Sequence, residues 1–217
     1  MWRKKPPANS TGSKQTQSKS GESSSSTSKA ITILEYNFKR LSAELSHIGT
    51  QRKVAVLGQP GAGKSTLLDR ITEQSCHPRP DIGQQTDATN WSRHTNCILL
   101  RQCDRIVLAD VPGYDTAAHP LDTFLNHFPF ASFDCLLLVL KGKVHEADDR
   151  LWQWLKRRAL TDRTLVVRAF AEGLTAEEQT EVRADLHNHF GHAAALCSSR
   201  EMTGLTEVRK FVYGLRY

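Results

Sequence analysis

The sequence predicts an α/β fold: a mostly parallel sheet of six strands, one of them antiparallel at an edge, with helices on both faces. Three observations carry this. Short apolar runs alternate with amphipathic stretches from residue 50 to residue 217, a glycine-rich GxxxxGK[ST] loop joins the first run to the stretch after it, and a DxxG sequence ends a later apolar run.

Residues 1–29 are expected to be a disordered tail, because Ser, Thr, Lys, Gln and Gly dominate them and offer too little apolar surface to offset chain entropy. Six basic residues (Arg3, Lys4, Lys5, Lys14, Lys19 and Lys29) face only Glu22 there, so the tail accounts for most of the net charge of +6. The remaining body is nearly neutral, which argues against a nucleic-acid-binding surface on the domain itself. The tail reads as a solubilising tether, or as an electrostatic contact for RNA, ribosomes or anionic lipid.

Residues 30–49 form the next segment. Leu34, Phe38, Leu41, Leu45 and Ile48 recur at three- and four-residue spacing, which predicts an amphipathic helix. Packing of that helix on the domain is the first reading, and a face for a partner or membrane is the second.

From residue 50 to 217, strands are expected at 53–57, 96–101, 105–110, 134–140, 164–170 and 193–197. Helices are expected at 65–73, 119–127, 147–159, 176–190 and 203–214. The segments around residues 98 and 107 are joined through Arg101-Gln102-Cys103-Asp104, too short for a crossover, so they should form an antiparallel hairpin.

With 39% hydrophobic and 24% charged residues over 217 positions, one substantial core is expected. The longest apolar run, Cys135-Leu136-Leu137-Leu138-Val139-Leu140, is too short to span a bilayer and reads as a buried central strand. Cys76, Cys97, Cys103, Cys135 and Cys197 are odd in number and scattered, and several fall in expected strands. They read as free thiols, hence as a reducing, cytoplasmic compartment.

The run Gly58-Gln59-Pro60-Gly61-Ala62-Gly63-Lys64-Ser65-Thr66 is the strongest motif. Between a strand and a helix, its glycines let backbone N–H groups turn around a nucleotide phosphate, and the helix N-terminus adds its positive dipole end. Lys64 is placed to meet the β- and γ-phosphate oxygens, and the Ser65 hydroxyl to meet Mg²⁺. Downstream, Asp110-Val111-Pro112-Gly113 ends an apolar strand. Asp110 can hold the metal through water there, and the N–H of Gly113 can sense a γ-phosphate. The polar stretch Gly83–Asn90 between the motifs supplies a threonine for the metal shell.

At these residues the chain resembles P-loop GTPases of the Era and TrmE type and, more loosely, a predicted ribosome-binding GTPase group. The resemblance implies a Ras-like P-loop NTPase fold, GTP and GDP as ligands with Mg²⁺, and GTP hydrolysis in a molecular switch, which the departure at Tyr114 predicts to be slow. It makes Thr86, or second to it Thr89, the switch threonine. It implies that Lys64, Thr86 and Gly113 serve catalysis, and that Ser65, Thr86 and Asp110 hold the metal. Ala195-Leu196-Cys197-Ser198-Ser199-Arg200 is similar to the loop on the guanine side, with a glycine-leucine helix start after it at Gly204-Leu205.

Two departures stand out. Family members end the fifth strand with NKxD or NQxD, whose aspartate pairs with guanine, whereas Arg168 and Ala171 occupy the asparagine and aspartate places here. A shift of one residue brings Glu172 to the acidic place and leaves Ala169 for the asparagine. Arg168 or Arg200 could stack on a purine face without choosing a base. Tyr114 follows the DxxG motif where other small GTPases carry a water-orienting glutamine, and a tyrosine ring lacks the amide geometry for that task.

These departures admit two rivals to a switch: a pseudo-GTPase scaffold that recruits a protein effector, and an ATP-binding P-loop NTPase. His187, His189 and His192 do not read as a metal site, because the first two point to different sides of a helix. Trp152 and Trp154 read as helix-to-sheet packing, and Asp148-Asp149-Arg150 as a solvated helix start.

Overall fold

The computed structural model describes residues 30–79 and 90–214. The tail, the stretch carrying Thr86 and Thr89, and the last three residues lie outside the described residues.

The first element is helix α1 (Ile33–Ser46). It starts at Thr32, whose hydroxyl accepts from the N–H of Glu35 while the Glu35 carboxylate accepts from the N–H of Thr32, a reciprocal cap that satisfies two otherwise orphaned donors. Leu34, Phe38, Leu41 and Leu45 are buried, so the helix spends its apolar stripe on the domain. Phe38 meets Trp91, Phe124 and Phe128 edge-on at centroid distances of 6.2, 4.9 and 5.4 Å. The wholly buried Asn37 donates to the carbonyls of Trp91 and His94 at 2.7 and 2.8 Å.

The remaining elements follow as β1 (Arg52–Leu57), α2 (Lys64–Ile71), β2 (Arg101–Cys103), β3 (Ile106–Asp110), α3 (Leu121–His127) and β4 (Cys135–Lys141). Then come α4 (Glu146–Arg157), β5 (Thr164–Ala169), α5 (Ala176–Phe190), β6 (Ala194–Leu196) and α6 (Leu205–Tyr213). The six strands form one sheet in the order β2-β3-β1-β4-β5-β6. All pairings are parallel except β2 with β3, the antiparallel edge that the short connection predicts.

Strand periodicity divides the core into two layers. Val54 and Val56 of β1, with Leu137 and Val139 of β4, face Leu67, Leu68 and Ile71 of α2 and Val208 and Val212 of α6. Ala55, Leu57, Leu136, Leu138 and Leu140 face the other way, onto α1, α3, α4 and α5. Burial of the β1, β3 and β4 strands on both faces explains why they read as continuous apolar runs.

Two expectations need correction here. The strand expected at 96–101 begins only at Arg101, because the segment before it is held by side chains rather than by a ladder: Arg40 donates to the carbonyl of Cys97, and Leu99 drops into the core while Ile98 stays exposed. Cys76 and Cys103 are not free thiols but a disulfide, their Cα atoms 4.4 Å apart. Paired backbone bonds between His77 and Gln102, at 2.8 and 2.9 Å, bring the loop after α2 onto the β2 edge. The remaining cysteines, Cys97, Cys135 and Cys197, are free. Two of the five thiols therefore no longer support a reducing compartment. No helix among the described residues is long and apolar enough to cross a membrane.

Candidate nucleotide site

The loop after β1 lies where β1, β3 and β4 end together. Gly58 admits no side chain, since a Cβ there would stand 2.4 Å from the carbonyl oxygen of Val139. Gly61 and Gly63 take left-handed backbone, φ +71° and +89°, which reverses the chain and opens α2. Gly63 caps α2 with no side-chain hydrogen bond, and α2 opens directly on the loop, where the N-terminal end of a helix favours an anion.

Lys64 is buried and folds back along the loop, its Nζ donating to the carbonyls of Gly58 and Gln59, both at 3.0 Å. The Ser65 hydroxyl donates to Asp110 Oδ2 at 2.9 Å. Asp110 arrives there because β3 pairs in parallel register with β1, placing it beside Val56. Two oxygen donors so close suit a small hard cation, so the residues present fit Mg²⁺. Gly113 reaches the same loop: a Cβ on it would lie 2.5 Å from the Pro60 nitrogen. The phosphate loop and the DxxG turn are thus in direct contact through Pro60 and Gly113.

Tyr114 turns away from this cluster. It is fully buried, and its hydroxyl donates to Asp148 Oδ1 at 2.6 Å. Burial first, then the Asp148 carboxylate, pushes the phenol well above its ordinary pKa. Asp148 Oδ2 accepts from the N–H of His145 at 3.0 Å, which ties the start of α4 to the DxxG turn. The expectation of a solvated Asp148 is therefore corrected: it is 2% exposed, and Tyr114 is the reason it can be buried. A cavity of about 70 Å³, lined by Gln59, Pro60, Lys141, His145 and Asp148 among others, lies between that helix start and the phosphate loop.

A second cluster stands at the ends of β5 and β6. Cys197 N–H donates to the Arg168 carbonyl at 2.9 Å, and Ala171 N–H to the Cys197 carbonyl at 3.1 Å, so the loop holding Ser198, Ser199 and Arg200 is fixed beside the turn after β5. Ser198 is buried, Ser199 half-buried and Arg200 exposed. Gly204, at φ +70°, closes the loop under α6, where a Cβ would sit 1.9 Å from the Leu196 carbonyl oxygen. Arg168 bends onto the carbonyl of Ala169, and burial lowers its pKa.

Phe170 is the residue that spacing did not single out for this site, and Glu172 stands in the turn after it. Phe170 adopts left-handed backbone at φ 58°, directly after β5 ends at Ala169. Its exposed ring lies over the phosphate loop, 3.4 Å from a Cβ built on Gly63, with Lys141 Nζ 5.4 Å from its centroid. Glu172 follows on a 3-10 turn, Ala171–Gly173. The Ser198 hydroxyl and a backbone N–H, then Arg200 and Arg168, hold its carboxyl below the usual carboxylate range. Ala171, by contrast, is buried. Phe170 at an unusual φ was the one local signal, and no sequence pattern announces it.

Residues 53–169, just over half of the chain, match the family described as 50S ribosome-binding GTPase. The chain belongs to that family. Among relatives of this 50S ribosome-binding GTPase family, the chain is 32% identical over 125 residues to the chloroplastic ERA-like GTPase of Oryza sativa subsp. japonica, covering 54% of this chain and 28% of the relative. It is 37% identical over 78 residues to the small ribosomal subunit biogenesis GTPase RsgA of Limosilactobacillus fermentum, covering 34% and 24%. The chain thus spans roughly a quarter of the length of these relatives.

Among solved structures, an Aquifex aeolicus Era variant bound to GDP and AlF4- aligns at a TM-score of 0.51 with 17% identity, over 78% of this chain and 58% of that one. An S. thermophilus NFeoB mutant bound to GMPPNP aligns at 0.52 with 17% identity, over 75% and 61%. Both likenesses are of fold.

Proposed function

We propose that this GTPase-family chain is a Mg²⁺-dependent guanine-nucleotide switch with slow intrinsic GTP hydrolysis. The observation that carries the reading is the convergence of Lys64, Ser65, Asp110 and Gly113 on one loop, with Ser65 and Asp110 in hydrogen-bond contact.

Lys64 would leave the carbonyls of Gly58 and Gln59 for the β- and γ-phosphate oxygens, a stronger charge-assisted pairing. The N–H groups at the start of α2 would cradle the β-phosphate. Ser65 and Asp110, completed by Thr86, would hold Mg²⁺, which when bound supplies neutralisation of phosphate charge. Gly113 would donate its N–H to the γ-phosphate. Because that glycine touches Pro60, a γ-phosphate and the packing of the DxxG turn compete for one place, which is what a switch requires.

Hydrolysis should be slow. Tyr114 is committed to Asp148, so the attacking water must be oriented by backbone or by another polar group. The same observation favours the second reading, a nucleotide-binding scaffold without useful turnover. The family's description and the name of the Limosilactobacillus fermentum relative support RNA or a ribosomal particle as the partner, with the basic tail as its contact and salt-sensitive binding as the signature.

Single-turnover phosphate release from bound GTP separates the two readings. Release well below about 1 s⁻¹, yet above the uncatalysed rate and depressed further by Asp110→Ala, is expected for the switch. Release at the uncatalysed rate from a wild type that binds GTP would leave the scaffold.

A further inference from the structure

We infer that the Cys76–Cys103 disulfide is a redox-sensitive brace on the metal-binding pair, so that a dithiol reductant lowers Mg²⁺-dependent nucleotide affinity and a disulfide oxidant restores it. The inference rests on the nucleotide-binding reading above and concerns the regulation of that site.

Topology sets the two ends of the brace. Ser65 stands at the start of α2 and Asp110 at the end of β3, where they meet in the 2.9 Å hydrogen bond. Cys76 follows the turn after α2, and Cys103 closes β2, paired with Ile106 at the start of β3. One covalent bond therefore joins the far ends of the two elements whose near ends form the metal pair. The eight residues of α2 make a rod about 12 Å long, so a shift at its far end reaches Ser65.

The other contacts at that end are hydrogen bonds and an ion pair. His77 and Gln102 exchange backbone bonds at 2.8 and 2.9 Å, and the buried Arg101 donates to the carbonyls of Pro78 and Arg79. From α6, Arg209 donates to the Arg70 carbonyl and pairs with Glu73, each at 2.8 Å. These contacts keep the elements together when the sulfurs part. An N–H···O bond, however, is satisfied anywhere from about 2.7 to 3.2 Å, and a working site needs its groups placed within about 0.5 Å. The fine placement of Ser65 against Asp110 is thus the property that the covalent bond adds.

The backbone around the disulfide marks the part that opens. Glu73 and Gln74, in the turn before Cys76, are left-handed at φ 51° and 62°, and Asp104, beside Cys103, is left-handed at 47°. Non-glycine residues keep such conformations only where their surroundings over-determine them. A cavity of about 630 Å³ lies against the same turn, with Ser75, Asp104, Arg105 and Tyr213 in its lining, so a small thiol can approach both flanks of the disulfide. The sulfur-bearing residues are themselves fully buried, so exchange proceeds through local opening of the turn.

The exchange balances with one dithiol. Its thiolate attacks one sulfur, the S–S bond breaks, and the released cysteine thiolate takes a proton. The second thiolate of the reagent then displaces the other cysteine, so two electrons pass to the protein and the reagent leaves as a cyclic disulfide. Oxidised glutathione takes the two electrons back and leaves as two thiols.

Titration of GDP into the full chain, in Mg²⁺ and in chelator, before and after dithiothreitol, tests this. Reduction should weaken binding in Mg²⁺ by about tenfold and leave binding in chelator almost unchanged, and oxidised glutathione should restore the first value. Cys76→Ser combined with Cys103→Ser should bind like the reduced protein and ignore both reagents, which separates the brace from Cys97, Cys135 and Cys197. In hydrogen exchange, the Gln74 amide, bonded to the Asp69 carbonyl at 3.0 Å, should lose protection on reduction while the amides of β1 and β4 keep theirs. Equal Mg²⁺-dependent affinities in the two redox states would overturn the inference. So would an equal loss in chelator, or loss of the cooperative thermal transition on reduction, which would make the bond a staple of the whole fold. A wild type that binds GDP in neither redox state would overturn the nucleotide-binding reading and the regulation with it, whereas a failure confined to the redox comparison leaves that reading standing.

Discussion

The Ser65 hydroxyl and the Asp110 carboxylate, 45 residues apart in sequence, are joined by a 2.9 Å hydrogen bond. One ends the phosphate loop and the other ends β3, so the parallel β1–β3 register builds the metal-binding pair. Ser65→Ala should therefore weaken GTP binding in Mg²⁺ by about tenfold and leave binding in chelator almost unchanged. Titrations with and without the metal check this, and an equal loss in both would argue against a metal role.

Gly113 leads to a second prediction. A methyl group there meets the Pro60 nitrogen at 2.5 Å, and backbone at that distance has to move. Gly113→Ala should push the DxxG turn off the phosphate loop, so that GTP and GDP become nearly equal in affinity and phosphate release falls. Comparison of GTP and GDP affinities in the variant reads the effect directly.

Tyr114 predicts a stability effect rather than a catalytic one. Tyr114→Phe removes the donor from a buried Asp148 oxygen and should cost about 1–3 kcal/mol in chemical denaturation, with phosphate release little changed. The pH dependence follows from the raised phenol pKa. An unfolded tyrosine titrates near about pH 10, so the contribution of Tyr114 is fully present below that pH and is lost as pH rises toward the folded value. Tyr114→Phe should flatten this alkaline loss.

Much of this was legible in the sequence because it depends on local pattern. The loop from Gly58 to Thr66 needs glycine at defined turns, and the strands around it are apolar on both faces, so motif, strand and helix declare one another. The stripe from Leu34 to Leu45 likewise announced a packed helix. What remained hidden depends on contacts between distant residues. Ile98-Leu99-Leu100 looks like a strand, but Arg40 of α1 holds its neighbour instead. Asp148 looks solvated until Tyr114 reaches it from 34 residues away. The left-handed backbone of Phe170, which follows the end of β5 at Ala169, has no counterpart in the sequence pattern.

The cysteines give a fourth prediction. Cys76 and Cys103 are bonded, and burial pushes the thiols of Cys135 and Cys197 up to about 12. Among the free thiols Cys97 alone is half-buried rather than buried. Burial raises its pKa too, with Arg40 partly offsetting this, and it should be the one that reacts, slowly, with an alkylating reagent in the native protein at pH 8. Denaturation without reductant should expose three reactive thiols, and reduction all five, as read by mass spectrometry. Five reactive thiols before reduction would contradict the disulfide.

The central claim is that the loop from Gly58 to Thr66 binds a nucleotide through Lys64. Calorimetric titration of GTP in Mg²⁺ into wild type and Lys64→Ala tests it most directly, because the Lys64 ammonium bonds the loop carbonyls of Gly58 and Gln59 and its removal should leave the fold intact. Wild type should give a saturable one-site isotherm, and Lys64→Ala should lose at least about 100-fold in affinity with its thermal unfolding unchanged. A variant that binds GTP as tightly as wild type would contradict the account.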